Sequence, residues 1–92
     1  MKLMIAIVED DIAHDIIKML AIDKIRCTKL ASTGGLLRKG NTTLLIGYED
    51  ESKEKILRIM DGMSKNRLRD PEDDKSYNIN LFTFDLEKMK RV

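Results

Sequence analysis

A chain of 92 residues with 17 basic and 16 acidic side chains, for a formal charge of +1, has the length of one small domain and lacks the charge excess that draws a protein to nucleic acid or an anionic membrane. Its one cysteine, Cys27, excludes an internal disulfide and fits a reducing, cytoplasmic setting, and no apolar run approaches the roughly 20 residues that span a bilayer. Residues 1–92 are expected to form a single domain with a thin core, which gains much from association with other copies.

Lys2–Val8 is a continuous apolar run rich in branched residues, the pattern of a strand buried on both faces. Acid follows at Glu9, Asp10 and Asp11 with no small-residue cleavage site, so the run reads as a first strand and not as a secretion signal. Asp10 and Asp11 are expected to cap a helix over Ile12–Ile22, where Ile12, Ile16, Met19 and Leu20 recur at spacings of three and four and form one buried stripe. His14 falls on the flank of that stripe. No cysteine, second histidine or acidic cluster is placed to make it a ligand or a base. Lys24–Ala31 alternates, with Ile25 and Cys27 on one face and Lys24, Arg26 and Thr28 on the other, which predicts a strand whose polar face meets solvent, a partner chain or a ligand. Cys27 reads as a small core residue.

The most informative stretch is Lys29–Gly47, KLASTGGLLRKGNTTLLIG, which holds four of the five glycines. It reads as strand, glycine-bearing loop and return strand Thr42–Tyr48. Adjacent Gly34 and Gly35 free the backbone to turn its N–H groups into a concavity that suits an anion. Ser32, Thr33, Thr42 and Thr43 are potential donors to the same anion, with Arg38 and Lys39 supplying charge. The plainer reading is a hairpin loop whose polar groups meet only water. Gly47 removes a side chain from the return strand, which weakens it or lets a ligand approach the backbone.

Asp50 is expected to cap a second helix from Glu51 to about Lys65, with Ile56, Leu57, Ile59, Met60 and Met63 as its buried stripe. Lys65–Tyr77, with the only proline and charges of both signs, reads as a solvated loop. Asn78–Leu86 reads as a fourth strand through Ile79, Leu81, Phe82 and Phe84, followed by a basic tail of Lys88, Lys90 and Arg91 read as a short helix. The resulting order, βαββαβ, is that of an α+β ferredoxin-like sandwich with both helices on one side of an antiparallel sheet. Two helices cover one sheet face, yet the first strand is apolar on both, so the second face is expected to be buried against other copies of the chain. An enzyme is not expected, since no nucleophile–base pair or paired-carboxylate site emerges. An RNA-recognition module shares the strand order, but TTLLIGY lacks the paired aromatics that stack bases.

RCTKLASTGGLLRKGNTTLLIG (Arg26–Gly47), with the opening MKLMIAIV and the closing strand, resembles the PII-like cyclic-di-AMP receptor proteins of Gram-positive bacteria. The resemblance implies a ferredoxin-like homotrimer that holds one cyclic dinucleotide in each of three clefts between subunits. It also implies a non-catalytic role in signal transduction, relaying messenger level to an unidentified partner protein in the cytoplasm, with no metal, cofactor, nucleic-acid or membrane partner. Its ligand contacts would fall on Arg26, Thr28, Gly35, Leu36, Leu37, Asn41 and Gly47, with Lys24 beside them. Arg26 would stack on or hydrogen-bond to a purine, Thr28 and Asn41 would pair with base edges, and the amides of Gly35–Leu37 would hold a phosphate.

Three departures bear on that site. Lys24 stands where the family pattern has asparagine, exchanging an amide for a charge. Leu36 stands where an aromatic is usual, so base stacking gives way to plain apolar contact. The charged segment before the last strand is short and lacks the glycine-rich part. Weaker binding than in a fully matching member is the expectation. The alternatives are a PII-type sensor of another nucleotide such as ATP, which Lys24, Arg26, Arg38 and Lys39 would suit, and a trimeric scaffold that has lost ligand binding.

Overall fold

The computed structural model of the chain describes residues 1–33, 40–65, 72 and 77–86. Their order is β1 (Lys2–Glu9), α1 (Asp10–Ile22), β2 (Cys27–Thr33), β3 (Asn41–Tyr48), a 3-10 turn at Asp50–Ser52, α2 (Lys53–Ser64) and β4 (Ile79–Asp85). The four strands form one antiparallel sheet in the order β2-β3-β1-β4, the ferredoxin-like α+β arrangement expected from the strand and helix periods.

The register explains why β1 is apolar throughout. Met4, Ala6 and Val8 stand beside Ile46, Leu44 and Thr42 of β3 and beside Thr83, Leu81 and Ile79 of β4. All three are fully buried and share one core with Leu44, Ile46, Ile12, Ile16 and Leu20, and with Ile56, Ile59, Met60 and Met63 of α2. Successive strand residues point to opposite faces, so Leu3, Ile5 and Ile7 lie on the other side. There Leu3 is flanked by Gly47 and Phe84, and Ile5 by Leu45 and Phe82. No described residue covers this face: Phe82 is 51% and Phe84 49% exposed, and Leu3, Ile5, Ile7 and Leu45 are only partly buried.

Several local expectations give way to tertiary demands. β1 runs directly into α1, so Asp10 and Asp11 occupy the first helical turn and the extended Glu9 takes the cap position without a side-chain bond to the helix. Their charges still suit the positive end of the helix dipole. Asp10 instead ties the helix start to β3: its N–H donates to the Gly40 carbonyl at 3.0 Å and its carboxylate accepts from the Thr42 hydroxyl. Asp50 likewise opens the 3-10 turn and is not the cap of α2. Its carboxylate meets Lys2 Nζ at 2.8 Å, which holds it below the usual carboxylate range, first by the hydrogen bond and then by charge. That contribution is present above the ordinary carboxylate pKa and is lost as pH falls through the lowered one. Leu57, expected in the buried stripe of α2, is 38% exposed, while Ile56, Ile59, Met60 and Met63 are buried as expected.

The end of α2 is clasped to the approach of β4. Tyr77 N–H donates to the Ser64 carbonyl at 2.6 Å, and Ser64 Oγ donates to the Tyr77 carbonyl at 2.7 Å. Asn78 N–H donates to Glu9 Oε2 at 2.6 Å. Of the loop expected over Lys65–Tyr77, residues 66–71 and 73–76 lie outside the described residues, as does the basic tail with Lys88, Lys90 and Arg91.

Ile16→Ala removes a side chain that the core encloses completely and should cost about 2–5 kcal/mol. Leu57→Ala should cost less than about 1 kcal/mol, because much of that side chain already meets water. Urea titrations of both variants test this assignment; equal losses would contradict it.

Candidate functional site

After α1 the chain reverses over Asp23–Arg26 before entering β2. The N–H groups of Asp23 and Ile25 donate to the Leu20 carbonyl at 3.2 and 2.9 Å, and that of Lys24 to the Ala21 carbonyl at 3.0 Å. Lys24 pays for the reversal with φ of 58°, the left-handed region that glycine and asparagine occupy more readily. The alternation read across Lys24–Ala31 therefore begins one turn too early: β2 starts at Cys27, and Lys24 belongs to the turn. Ile25 still enters the core at 9% exposure, and Lys24 and Arg26 stand exposed beside it. Neither cation has an ion-pair partner among the described residues. Further along β2, a bulge between Lys29 and Ala31 leaves Leu30 55% exposed.

An open cavity of about 260 Å³ lies between this reversal and the end of β3. Lys24 and Arg26 wall it on one side, Gly47, Tyr48 and Ser52 on the other, with Met1 also lining it. A Cβ at Gly47 would meet only Met1 Cε, at 3.9 Å, so the missing side chain leaves free space over the strand. A second cavity of about 290 Å³ shares the reversal and extends to Ile17, Ala21 and Cys27. Burial pushes the half-buried Cys27 thiol above its ordinary pKa, which favours the inert neutral form. The chain start is anchored nearby: the Met1 ammonium lies 3.6 Å from Glu49, and Lys2 Nζ lies 3.7 Å from Asp85 as well as bonding Asp50.

The structure thus brings Lys24, Arg26 and Gly47 around one cavity. Thr28 is exposed, and its register partner Leu45 lies on the uncovered sheet face with Gly47. Asn41 is elsewhere. It pairs with Glu9 and Thr33 at the opposite end of β3, six residues from Gly47 and hence about 20 Å away along the strand. Gly35, Leu36 and Leu37 lie outside the described residues; β2 ends at Thr33 and β3 begins at Asn41. Thr42, a potential anion donor on sequence grounds, is 2% exposed and gives its hydroxyl to Asp10. It turns into the core because the alternation of β3 places it with Leu44 and Ile46. His14 is exposed on α1 beside a cavity lined also by Asp10 and Lys29. No group of three or more metal-ligating side chains occurs among the described residues, and none of their helices is long and apolar enough to cross a membrane.

Sequence reasoning passed over Tyr48. The residue is 4% exposed, its hydroxyl has no hydrogen-bond partner among the described residues, and it helps line the Arg26 cavity. The signal was the alternation of TTLLIGY, which sets a phenol on the same face as Leu44 and Ile46, where its oxygen needs a partner.

Comparison with known proteins adds to this geometry. The family model described as cyclic-di-AMP receptor matches residues 1–75. The crystal structure of a functionally unknown protein from Pediococcus pentosaceus ATCC 25745 is similar at 30% identity and a TM-score of 0.71, covering 99% of this chain and 96% of that one. The de novo designed protein Foldit4 is similar in fold alone, at 12% identity and a TM-score of 0.52, covering 99% of this chain and 100% of that one.

If Gly47 is present for the space it leaves and not for the fold, Gly47→Ala should leave stability unchanged or raise it by up to about 1 kcal/mol, since glycine in a strand interior is entropically unfavourable. A urea titration showing a clear loss of stability would contradict that reading.

Proposed function

The chain belongs to the cyclic-di-AMP receptor family, and from that premise we propose that it is a non-enzymatic, PII-like signal-transduction protein that takes cyclic-di-AMP in clefts between the subunits of a homotrimer. The observation that carries the proposal is the division of the candidate site. Lys24, Arg26 and Gly47 gather at one end of β3 and Asn41 stands at the other, a span of about 20 Å that one chain does not close on itself. The cavity at the Arg26 end, about 260 Å³, falls below the roughly 300–1,000 Å³ usual for a drug-sized ligand. It suits one base of a dinucleotide, with the remainder of the ligand held by a neighbouring subunit.

The uncovered sheet face supplies the reason to assemble. Leu3, Ile5, Leu45, Phe82 and Phe84 form a contiguous apolar surface across β3, β1 and β4, and such a surface marks an interaction site. In the cleft, Arg26 contacts the purine, Thr28 and Asn41 pair with base edges, the amides of Gly35–Leu37 hold phosphate, and Gly47 leaves room for the ring. The bound state is then read by a partner protein in the cytoplasm. One observation favours a second reading: Lys24 and Arg26 are both exposed and without an ion-pair partner among the described residues at the same cavity, as a sensor of a more highly charged nucleotide such as ATP would have them.

Calorimetric titration with cyclic-di-AMP, cyclic-di-GMP and ATP separates these readings. Cyclic-di-AMP should bind tightest, and Arg26→Ala should weaken it by about 1.5–3 kcal/mol, the range for a hydrogen bond to a charged group. Gly47→Val should abolish binding while the chain stays folded. The absence of cyclic-di-AMP binding at millimolar ligand, both in the wild type and in the Lys24→Asn, Leu36→Phe double variant, would overturn the assignment. Light scattering should return a trimer for the wild type and folded monomers for the Phe82→Asp, Phe84→Asp double variant. A well-folded wild-type monomer at micromolar concentration would contradict the assembly.

A further inference from the structure

Two open cavities of about 290 Å³ each lie between α1 and the edge strand β2. Ile17, Ala21 and Cys27 line one, up to the Asp23–Arg26 reversal; Ala13, Ile17 and Lys29 line the other, up to Asp10. They meet at Ile17 and form one groove. From Ala13 to Ala21 is eight residues of helix, about 12 Å, the reach of about four residues of extended chain. The floor is apolar because Ala13, Ile17 and Ala21 recur at a spacing of four and form a single stripe of α1, in which the two alanines leave the seam between helix and strand open. The rim is basic. Lys24 and Arg26 stand at one end and Lys29 toward the other, all exposed, and none has an ion-pair partner among the described residues. The nearby acids are engaged: Asp10 accepts from the Thr42 hydroxyl, and Asp23 lies 3.7 Å from Lys55 Nζ. In a chain whose formal charge is only +1, three such cations around one apolar floor are complementary to negative charge.

We propose that this groove holds an acidic segment of a partner protein: an apolar side chain seats on Ile17 and Ala21, with carboxylates against Lys29 on one side and Lys24 and Arg26 on the other. Arg26 also lines the cavity beside Gly47, so its guanidinium serves one occupant at a time. The ligand-free chain holds the segment; cyclic-di-AMP draws Arg26 to the purine, takes one cation from the groove and loosens the segment. By linkage, the segment weakens cyclic-di-AMP binding by the same factor. The switch rests on the cyclic-di-AMP reading, and the groove gives the downstream partner its chemistry.

The probe is a phage library of random ten-residue peptides selected on the ligand-free protein, with the strongest binder then synthesised and labelled for fluorescence anisotropy. Selected peptides should share an apolar residue flanked by Asp or Glu. Lys29→Glu reverses a rim charge, and Ala21→Glu fills the floor at an exposed helix position. Each should raise the peptide dissociation constant about tenfold or more, as for the loss of a hydrogen bond to a charged group. Neither should change cyclic-di-AMP binding or the oligomeric state, since neither residue is among the proposed ligand contacts. Saturating cyclic-di-AMP should weaken peptide binding to the wild type several-fold. Selection of no peptide, of peptides without acid, or of peptides that bind both variants as tightly as the wild type would refute the groove. If the wild type binds cyclic-di-AMP and peptide together with neither weakening the other, the switch is refuted and the receptor reading stands. If the wild type binds no cyclic-di-AMP while the peptide still distinguishes the variants, the receptor reading and the switch fail together and the docking groove stands.

Discussion

Strand β1 sits inside the sheet, between β3 and β4, and is apolar on both faces, while the described residues supply helices for only one of them. The rest of the structure follows from that mismatch. Met4, Ala6 and Val8 fill the core beneath α1 and α2, and Leu3, Ile5 and Ile7 look out with Leu45, Phe82 and Phe84 beside them. Fully burying one such side chain is worth about 1.5–3 kcal/mol, so the half-exposed pair Phe82 and Phe84 together leaves about that much unrealised in an isolated chain. A second copy placed on this face recovers it.

The same strand geometry underlies the proposed link between ligand binding and assembly. β3 carries Asn41 at its first residue and Gly47 next to its last, so the residues proposed to contact one ligand are spread along its whole length. In the assembly proposed above, copies packed through the open face would bring the Arg26 end of one chain toward the Asn41 end of another, and a cavity too small for a dinucleotide would become one part of a shared cleft. Lys24 acquires a further meaning here. Read as sequence, it loses the amide of the asparagine expected at that place; in the structure it also occupies a left-handed conformation that asparagine tolerates better. The substitution therefore bears on the shape of the reversal as much as on the groups offered to a base.

Much of this was legible before any coordinates. The periods of β1, α1, β3 and α2 fixed the element order, and two apolar faces on one strand pointed to an uncovered sheet. The misreadings have physical causes. Alternation continues from Lys24 to Thr28 through a chain reversal, because a residue in a left-handed turn still sends its successor Ile25 inward; periodicity alone does not register the turn. Asp10 and Asp50 look like helix caps by composition, but Thr42 and Lys2, distant in sequence, claim their carboxylates. Thr42, at the start of the return strand, looked like a hydroxyl available to an anion until the register of β3 turned it into the core. Tyr48 read as the end of a strand, and its burial, with no hydrogen bond to its hydroxyl among the described residues, sets it apart. Of the glycine-bearing loop, Gly34–Lys39 lie outside the described residues, so its amide cradle rests on sequence and on the family resemblance.

The central claim is that one apolar sheet face and one divided site make a ligand cleft only when chains come together. Native mass spectrometry of the protein with cyclic-di-AMP measures both halves at once. The account predicts a particle of three chains that takes up three dinucleotides, with no ligand on any single-chain species. Ligand retained by single chains, or a three-chain particle that takes up none, would contradict it.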